Sequence, residues 1–383
     1  MTAPTDAERL ARATLSIVGE PGQLKYTRQV TEHGVEAVVQ RLRDGEDEDV
    51  RERFRRVDAQ RELDRAAGLG IRFVIPGDPE WPTQLDDLEH CPDAHERGGV
   101  PLGLWVKGPL HLAEATDHAV AVVGSRSATT YGADVARELA AGVAQQGYTV
   151  VSGAAFGIDQ AGHRGALAAR GPTVAVLACG ADRVYPEAHR NLLDYIADVG
   201  VVVSESAPGC APTRIRFLAR NRVIAGLSRG TVVVEAATRS GALNTATWTL
   251  GLARPVMGVP GPVTSAPSQG VHQLIRHRDA VLVTHAEEVL EVIGPVGSLA
   301  LAEPRDEPRP RDRVSHRERE VLDAVPVRQG APVSAIASTA GISPERTRAA
   351  LHTLRSAGLV AESNGRWRLA RSEQEPVCDG SAS

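Results

Sequence analysis

The 383-residue sequence predicts an α/β protein, a doubly wound parallel sheet with a helical domain before it and another after it. Three observations predict this. Between about residues 117 and 294, seven short apolar runs alternate with helical segments, and near-continuous apolar strands separated by helices mean a parallel sheet covered on both faces. Residues 1–70 carry helical periodicity with dense charge. Residues 295–314, rich in Pro and charge without periodicity, read as a linker to a small helical unit.

In chain order, residues 1–70 read as three helices: "DAERLARATLSIV", "TRQVTEHGVEAVVQRLRDG" and "EDEDVRERFRRVDAQRELDRAAG". The charge run of the last is a solvated face of paired charges. Residues 71–116, punctuated by Pro and Trp, read as a connecting segment in which "PLGLWVKGPL" forms a small hairpin or a strand leading into the core. The sheet strands follow in 117–294: "HAVAVVG" (118–124), "YTVVSG" (148–153), "TVAVLACG" (173–180), "GVVVSE" (200–205), "TVVVEA" (231–236), "PVMGVPG" (255–261) and "AVLVT" (280–284). Residues 315–371 give the helices "SHREREVLDAV", "VSAIASTAG" and "SPERTRAALHTLRSAG", then a strand pair turning at Asn364-Gly365. Ser343 is placed to cap the third helix, with Pro344 at its first position. That layout is a winged helix-turn-helix, and 372–383 are expected to be a disordered polar tail.

Composition excludes several classes. The net charge of −5 gives no hint of a nucleic-acid partner, but 43 basic residues include only two lysines, Lys25 and Lys107. Arginine forks onto phosphate and stacks on bases. Cys91, Cys179, Cys210 and Cys378 form no C-x-x-C and no histidine cluster accompanies them, so no disulfide framework, zinc site or other metal site is expected. The N-terminus lacks a basic segment followed by a long apolar run, and no stretch approaches the ~20 apolar residues of a membrane span. A cytoplasmic protein without membrane contact is expected.

Ligands on an open parallel sheet bind at the carboxyl ends of its strands. Three turns there combine Gly and Ser at a helix start: "GSRSATTYG" with Gly124, Ser125 and Arg126; "SGAAFGID" with Ser152, Gly153 and Gly157; and "RSGALNTA" with Ser240 and Gly241. Such turns aim free N–H groups outward and build anion sites. The segment "FLARNRVIAGLSRG" (217–230) reads as the opening of a buried helix. Phe217, Val223, Ile224 and Leu227 share its apolar face, Arg220 points into that arc, and Arg222 lies opposite. Residues 211–256 hold seven arginines against one acid, Glu235, which reads as a phosphate surface wide enough for a polymer. The alternative is that Arg220 pairs with a buried carboxylate such as Glu235 or Glu205. Asp159 and His163, one turn apart, read as a cap contact or surface pair. In the winged helix, ten arginines face five acids over 313–371, with Arg346 and Arg348 in the first turns of the recognition helix.

Known nucleotide motifs are missing. There is no G-x-x-x-x-G-K-[ST], the first turn is not G-x-G-x-x-G, and Ser152 lacks the G-x-S-x-G elbow. No catalytic residue and no cofactor are assigned.

These motifs together resemble the DNA-processing protein A family (DprA, also called Smf): "VVGSR", "VVSGAAFGID", "GADRVYPEAHRNL", "SESAPG", "RFLARNRVIAGLS", "VVVEAATRSGALNTA" and "PVMGVPGPVTSAPSQGVHQLI". The resemblance implies an extended Rossmann-like core with a helical (SAM-like) N-terminal domain and a winged-helix C-terminal domain. It implies a non-catalytic, homodimeric protein that protects single-stranded DNA and helps load the RecA recombinase onto it in transformation or recombination. The family's DNA pocket maps onto Arg126, onto Ser152, Gly153 and Gly157, and onto Arg220 and Arg222 of the R-N-R segment, which also holds Asn221. Family members commonly have Phe-Pro ahead of that segment, whereas this chain has Phe217-Leu218. The rival reading is a small-nucleotide enzyme or sensor of the nucleoside-phosphate hydrolase type, with Glu205 or Glu235 as its acid/base group.

Overall fold

The seven apolar runs all form strands, and they are joined by two more. The computed structural model describes residues 3–45, 48–92, 97–295 and 314–370. The expected tail at 372–383 lies outside the described residues, as does nearly all of the linker. The chain divides into two compact units, residues 1–301 and 302–383.

In the first unit, strands β1 (Ile71–Val74) and β2 (Leu104–Lys107) precede β3 (Ala119–Val123), β4 (Thr149–Ser152), β5 (Thr173–Leu177), β6 (Val201–Ser204), β7 (Thr231–Val233), β8 (Val256–Gly258) and β9 (Val281–Leu282). They form one sheet in the order β1-β2-β6-β5-β4-β3-β7-β8-β9. Strands β3 to β9 are parallel, while β2 runs antiparallel to β6 and β1 antiparallel to β2. Residues 71–116, read as a connecting segment with a hairpin or entry strand, contribute two strands to the core sheet, and the sheet is mixed. The sequence hides this because β1 and β2 are four residues each and separated by a Pro-rich excursion.

Alternate residues of each strand face opposite sides. Ala121, Val123, Val151, Val176, Val203 and Val233 pack with Val223, Ile224 and Trp248 on one face. Val120, Val122, Val150 and Val232 pack with Leu139, Val143, Val289 and Leu290 on the other.

The N-terminal region forms five helices: α1 (Asp6–Val18), α2 (Leu24–His33), α3 (Val35–Asp44), α4 (Glu48–Arg56) and α5 (Ala59–Gly68). Two of the three helices read from sequence are split. Gly34 breaks the second with φ +80°, a conformation glycine adopts at no steric cost. Asp58 breaks the third by accepting the Arg61 amide at 3.0 Å as an N-cap. Ala13, Ala59 and Ala66 then pack on Ile71, Phe73 and Trp105, so the helices sit on the antiparallel end of the sheet. The Trp105 indole donates to Ser16 Oγ at 3.1 Å, joining that end to α1.

The core helices are α6 (Leu112–Asp117), α7 (Thr130–Gln145), α8 (Ile158–Ala168), α9 (Arg190–Val199), α10 (Arg214–Gly226), α11 (Gly241–Gly251), α12 (Gln269–Arg276) and α13 (Ala286–Ile293). The chain builds outward from β3 through β4, β5 and β6, then crosses by α10 to the other side of β3 to form β7, β8 and β9. Strand order reverses between β3 and β7, and such a switch point leaves a crevice at the carboxyl ends.

The second unit holds α14 (His316–Asp323), α15 (Val333–Ala340), α16 (Pro344–Ser356) and the hairpin β10 (Val360–Ser363) and β11 (Arg366–Leu369). Its core is Val321, Leu322, Ile336, Leu351, Leu354, Val360 and Trp367. Asn364 and Gly365 both have positive φ, as a two-residue primed turn requires. Ser343 occupies the N-cap of α16, but its side chain makes no capping bond. Among the described residues, no helix is long and apolar enough to cross a membrane.

Candidate nucleic-acid interface

A cleft of about 610 Å3 opens at the switch point. Gly124, Ser125 and Arg126 from the β3 turn lie at its base. Helix α10 supplies Arg214, Phe217, Arg220 and Asn221, and the segment after β7 supplies Arg239, Ser240 and Gly241. Seven of the sequence-predicted residues are thus brought together: Gly124, Ser125, Arg126, Arg220, Asn221, Ser240 and Gly241. Ser152, Gly153, Gly157 and Arg222 do not line the cleft, and Arg346 and Arg348 are exposed on α16 in the other unit.

Helix α10 begins three residues before Phe217, capped by Thr213, and runs unbroken through Leu218. Arg220 therefore sits in its second turn, clear of the positive end of the helix dipole. Arg220 is 7% exposed; its guanidinium donates through Nη1 to the Val176 carbonyl at 2.9 Å and lies against Gly153, where any Cβ would overlap it. Gly153 is glycine to make room for this arginine rather than to cradle a phosphate. Burial pushes the Arg220 pKa down to about 10 while the Asp159 charge opposes the fall, so it stays cationic at neutral pH. The Arg126 guanidinium lies 4.6 Å from the Phe217 ring centroid and that of Arg220 5.8 Å. Phe217, read as a core residue, is a half-buried aromatic wall between two cations. Asn221 donates to the Gly241 carbonyl at 3.3 Å and to Asn244 Oδ1 at 3.1 Å, fixing α10 to the start of α11.

At the β3 and β4 turns the chain meets the expected backbone anion cradle with its own groups. The Glu235 carboxylate accepts the Thr129 amide at 2.9 Å and the Thr129 hydroxyl at 2.5 Å, at the start of α7. The Asp159 carboxylate, 6% exposed, accepts the Ala155 amide at 3.4 Å and faces the amides of Gly124 and Gly153. Burial raises its pKa while those bonds and Arg220 hold it down. Ser125 N donates to the Glu235 carbonyl at 2.7 Å, Ser152 Oγ to the Val122 carbonyl at 2.6 Å, and Ser240 Oγ caps α11. Gly157, at φ +77°, lets the β4 turn approach the Ser125 carbonyl. Asp159 and His163 form no surface pair: His163 is fully buried against the Thr173 hydroxyl at 2.8 Å.

The basic stretch 211–256 is corrected in the same way. Arg216 pairs with Glu20 at 2.8 Å, Arg222 with Glu205 at 2.6 Å, Arg229 with Asp117 at 3.6 Å and Arg254 with Asp87 at 2.6 Å. Each partner comes from a distant segment, which a local charge count cannot register. Arg222 is 0% exposed and closed off behind α10, so it is a structural strut and not a ligand contact. It is Arg222, not Arg220, that pairs with Glu205. Arg214 and Arg239 are exposed, line the cleft and form no ion pair among the described residues. Sequence reasoning did not single them out, although Arg239 directly precedes the Ser240-Gly241 turn. Among the described residues, no group of three His, Cys, Asp or Glu is placed to hold a metal ion.

The model of the family "DNA recombination-mediator protein A" matches residues 72–294, from β1 to the end of the core. The chain belongs to that family. The putative DNA processing protein DprA of Mycobacterium tuberculosis is 44% identical over 378 residues, covering 96% of this chain and 95% of that one. Protein Smf of Escherichia coli is 40% identical over 220 residues, covering 57% of this chain and 56% of its own length. The solved DprA of Streptococcus pneumoniae superimposes with a TM-score of 0.63 at 31% identity, covering 76% of this chain and 99% of that one. The family match begins at β1, in agreement with the strands that 71–116 contribute to the sheet.

Proposed function

We propose that this protein is a non-catalytic recombination mediator that binds single-stranded DNA, with the strand seated in the cleft at the β3–β7 switch point. The observation that carries the reading is a set of exposed guanidiniums, Arg126, Arg214 and Arg239, around an aromatic wall, Phe217, with the chain's own acids turned to other tasks. Spaced cations beside a stacking face suit a flexible polyanion with accessible bases. Contacts of this kind read backbone and not sequence, so no sequence preference is expected. Gly124, Ser125, Ser240 and Gly241 shape the floor, and Arg220 adds charge from beneath.

The small-nucleotide reading loses support at its acids. Glu205 is held by Arg222 and Glu235 by Thr129, which leaves neither free to move a proton at the cleft. Two further assignments rest on family membership: action as a homodimer, and loading of RecA in the cytoplasm. The exposed edge strand β9, with Val281 51% and Leu282 49% exposed, is a surface suited to pairing with a second copy. The C-terminal unit is read as a winged helix offering Arg346 and Arg348 as a second contact surface.

Fluorescence anisotropy with labelled oligothymidine and a matched duplex tests the reading. Tighter binding of the single strand is expected. Absent binding, or release of base from a nucleoside monophosphate, would overturn it.

A further inference from the structure

The chain contains four Phe and five Tyr, and four of these nine stand at the carboxyl edge of the parallel strands. They are Tyr131 at the start of α7, Phe156 in the β4–α8 turn, Tyr185 in the β5–α9 loop and Phe217 on α10. Tyr131, Phe156 and Tyr185 are 44%, 46% and 43% exposed. Single exposed aromatics are ordinary. Four on one edge of an aromatic-poor chain are not.

Three of them lie beyond the cleft lining: Tyr131, whose hydroxyl is tied to the Pro260 carbonyl at 2.6 Å, and, on the β4 and β5 side, Phe156 and Tyr185. Phe156 is carried by a turn between Ala154 at φ +52° and Gly157 at φ +77°. A non-glycine residue in that region is strained by ~1 kcal/mol or more, and such strain gathers where a side chain must be presented. The ring meets the His189 imidazole edge-on, with centroids 4.6 Å apart. His189 is 2% exposed and its Nδ1 lies 3.0 Å from the Ala154 carbonyl, so the support is anchored to the same turn. The Tyr185 ring lies 5.7 Å from Phe217, which in turn lies under Arg126. The acids of this loop are matched: Asp182 accepts the Gly209 amide at 2.8 Å and lies 3.8 Å from Arg65, Glu187 is paired with Arg190 at 2.6 Å, and Arg183 is exposed.

We propose that Tyr185 and Phe156 form a base-stacking subsite for single-stranded DNA outside the cleft. One strand then crosses the carboxyl edge from the β7 side over Phe217 and onto these two rings. From β7 across β3 and β4 to β5 is three interstrand steps of ~4.8 Å, about 14 Å in all. That length takes about four nucleotides at the ~3.4 Å rise of a stacked strand. Aromatic faces accept every base and need the base unpaired, which favours a single strand over a duplex. The proposal rests on the single-strand reading above and adds its course and length.

The test compares two thymidine strands, a dinucleotide, which at ~3.4 Å per nucleotide stays within the cleft at the β3–β7 step, and an oligomer of about ten that reaches both rings. Wild type is expected to bind the longer strand more tightly. Tyr185→Ala and Phe156→Ala should each weaken the longer strand about five-fold or more and leave the shorter one unchanged. The salt slope should not move, because loss of a stacked base releases no counterion. Tyr185→Phe and Phe156→Trp should retain affinity, and the new Trp emission should respond to the longer strand only. Alanine variants that bind the longer strand like wild type, or that lose both strands equally, overturn the subsite. Failure of wild type to bind either strand is seen before any variant is made, and it overturns the functional reading and the subsite together.

Discussion

Arg222 Nη2 lies 2.6 Å from Glu205 Oε1, with the arginine fully buried and the carboxylate 8% exposed. The same carboxylate oxygen accepts the Gly22 amide at 3.2 Å, and Gly22, at φ +66°, lies so close that a Cβ would stand 2.9 Å from Arg222 Nε. Three distant parts of the chain meet there: the α1–α2 loop, the end of β6, and the back of α10. Arg216 joins Glu20 of the same loop at 2.8 Å. The N-terminal helices thereby set the position of the helix whose other face walls the cleft.

Removing one partner of a buried pair strands the other charge and costs ~3–5 kcal/mol. Glu205→Gln is therefore expected to lower the urea midpoint strongly. Arg222→Met combined with Glu205→Met should recover much of the loss, because Arg222 Nε and Nη1 and Glu205 Oε2 already lack hydrogen-bond partners among the described residues. An unmoved midpoint in Glu205→Gln would show that the pair carries no weight.

Arg220 tolerates its buried position because a guanidinium pushed down to about 10 is still protonated at neutral pH. Lysine starts lower, near 10.4, and the same burial carries it toward the neutral range. Single-strand binding by Arg220→Lys should fall as pH rises from about 6 to 9, while wild type stays level. Parallel pH profiles would place Arg220 outside the electrostatics of the cleft.

His163 is expected to make the fold acid-sensitive. Burial first, then the neighbouring charges of His189 and Arg220, push its pKa from 6.5 down to about 3. Between those values the unfolded chain binds a proton that the folded chain does not, so stability falls as pH drops from 6.5 toward 3. His163→Gln should flatten the stability–pH slope in that window by about one proton. An unchanged slope would contradict it.

Asp159 occupies the seat where the backbone amides of the β3 and β4 turns converge. Asp159→Ala should open that seat to free phosphate, seen as a rise in Tm with phosphate concentration that wild type and Asp159→Asn lack. No phosphate-dependent rise in the alanine variant would mean that the amides are closed for another reason.

Much of this was legible in the sequence. The apolar runs located seven strands and the turns at their carboxyl ends located the cleft, because valine-rich periodicity and Gly/Ser turns are local signals. Strand β2 is legible only as a hairpin or entry strand, and β1 not at all, because their partners are β6 and each other across a 29-residue gap. The helix breaks at Gly34 and Asp58 left periodicity nearly intact and were read through. The arginines were recognised as a group but could not be sorted. Whether a guanidinium faces solvent, like Arg239, or a carboxylate 17 residues away, like Arg222, is decided by tertiary packing. Glycine misled in a related way: Gly153 has the signature of an anion turn, yet the group it accommodates is Arg220.

The most direct measurement is the salt dependence of single-strand affinity for Arg126→Ala, Arg214→Ala, Arg239→Ala and Arg222→Met beside wild type. Each single-strand phosphate contact contributes about 0.7 to the slope of log K against log salt. The three cleft variants are expected to be shallower by about that amount each, with Arg222→Met less stable but unchanged in slope. A slope that ignores the three cleft arginines, or that responds to Arg222 alone, would contradict the placement of DNA in this cleft.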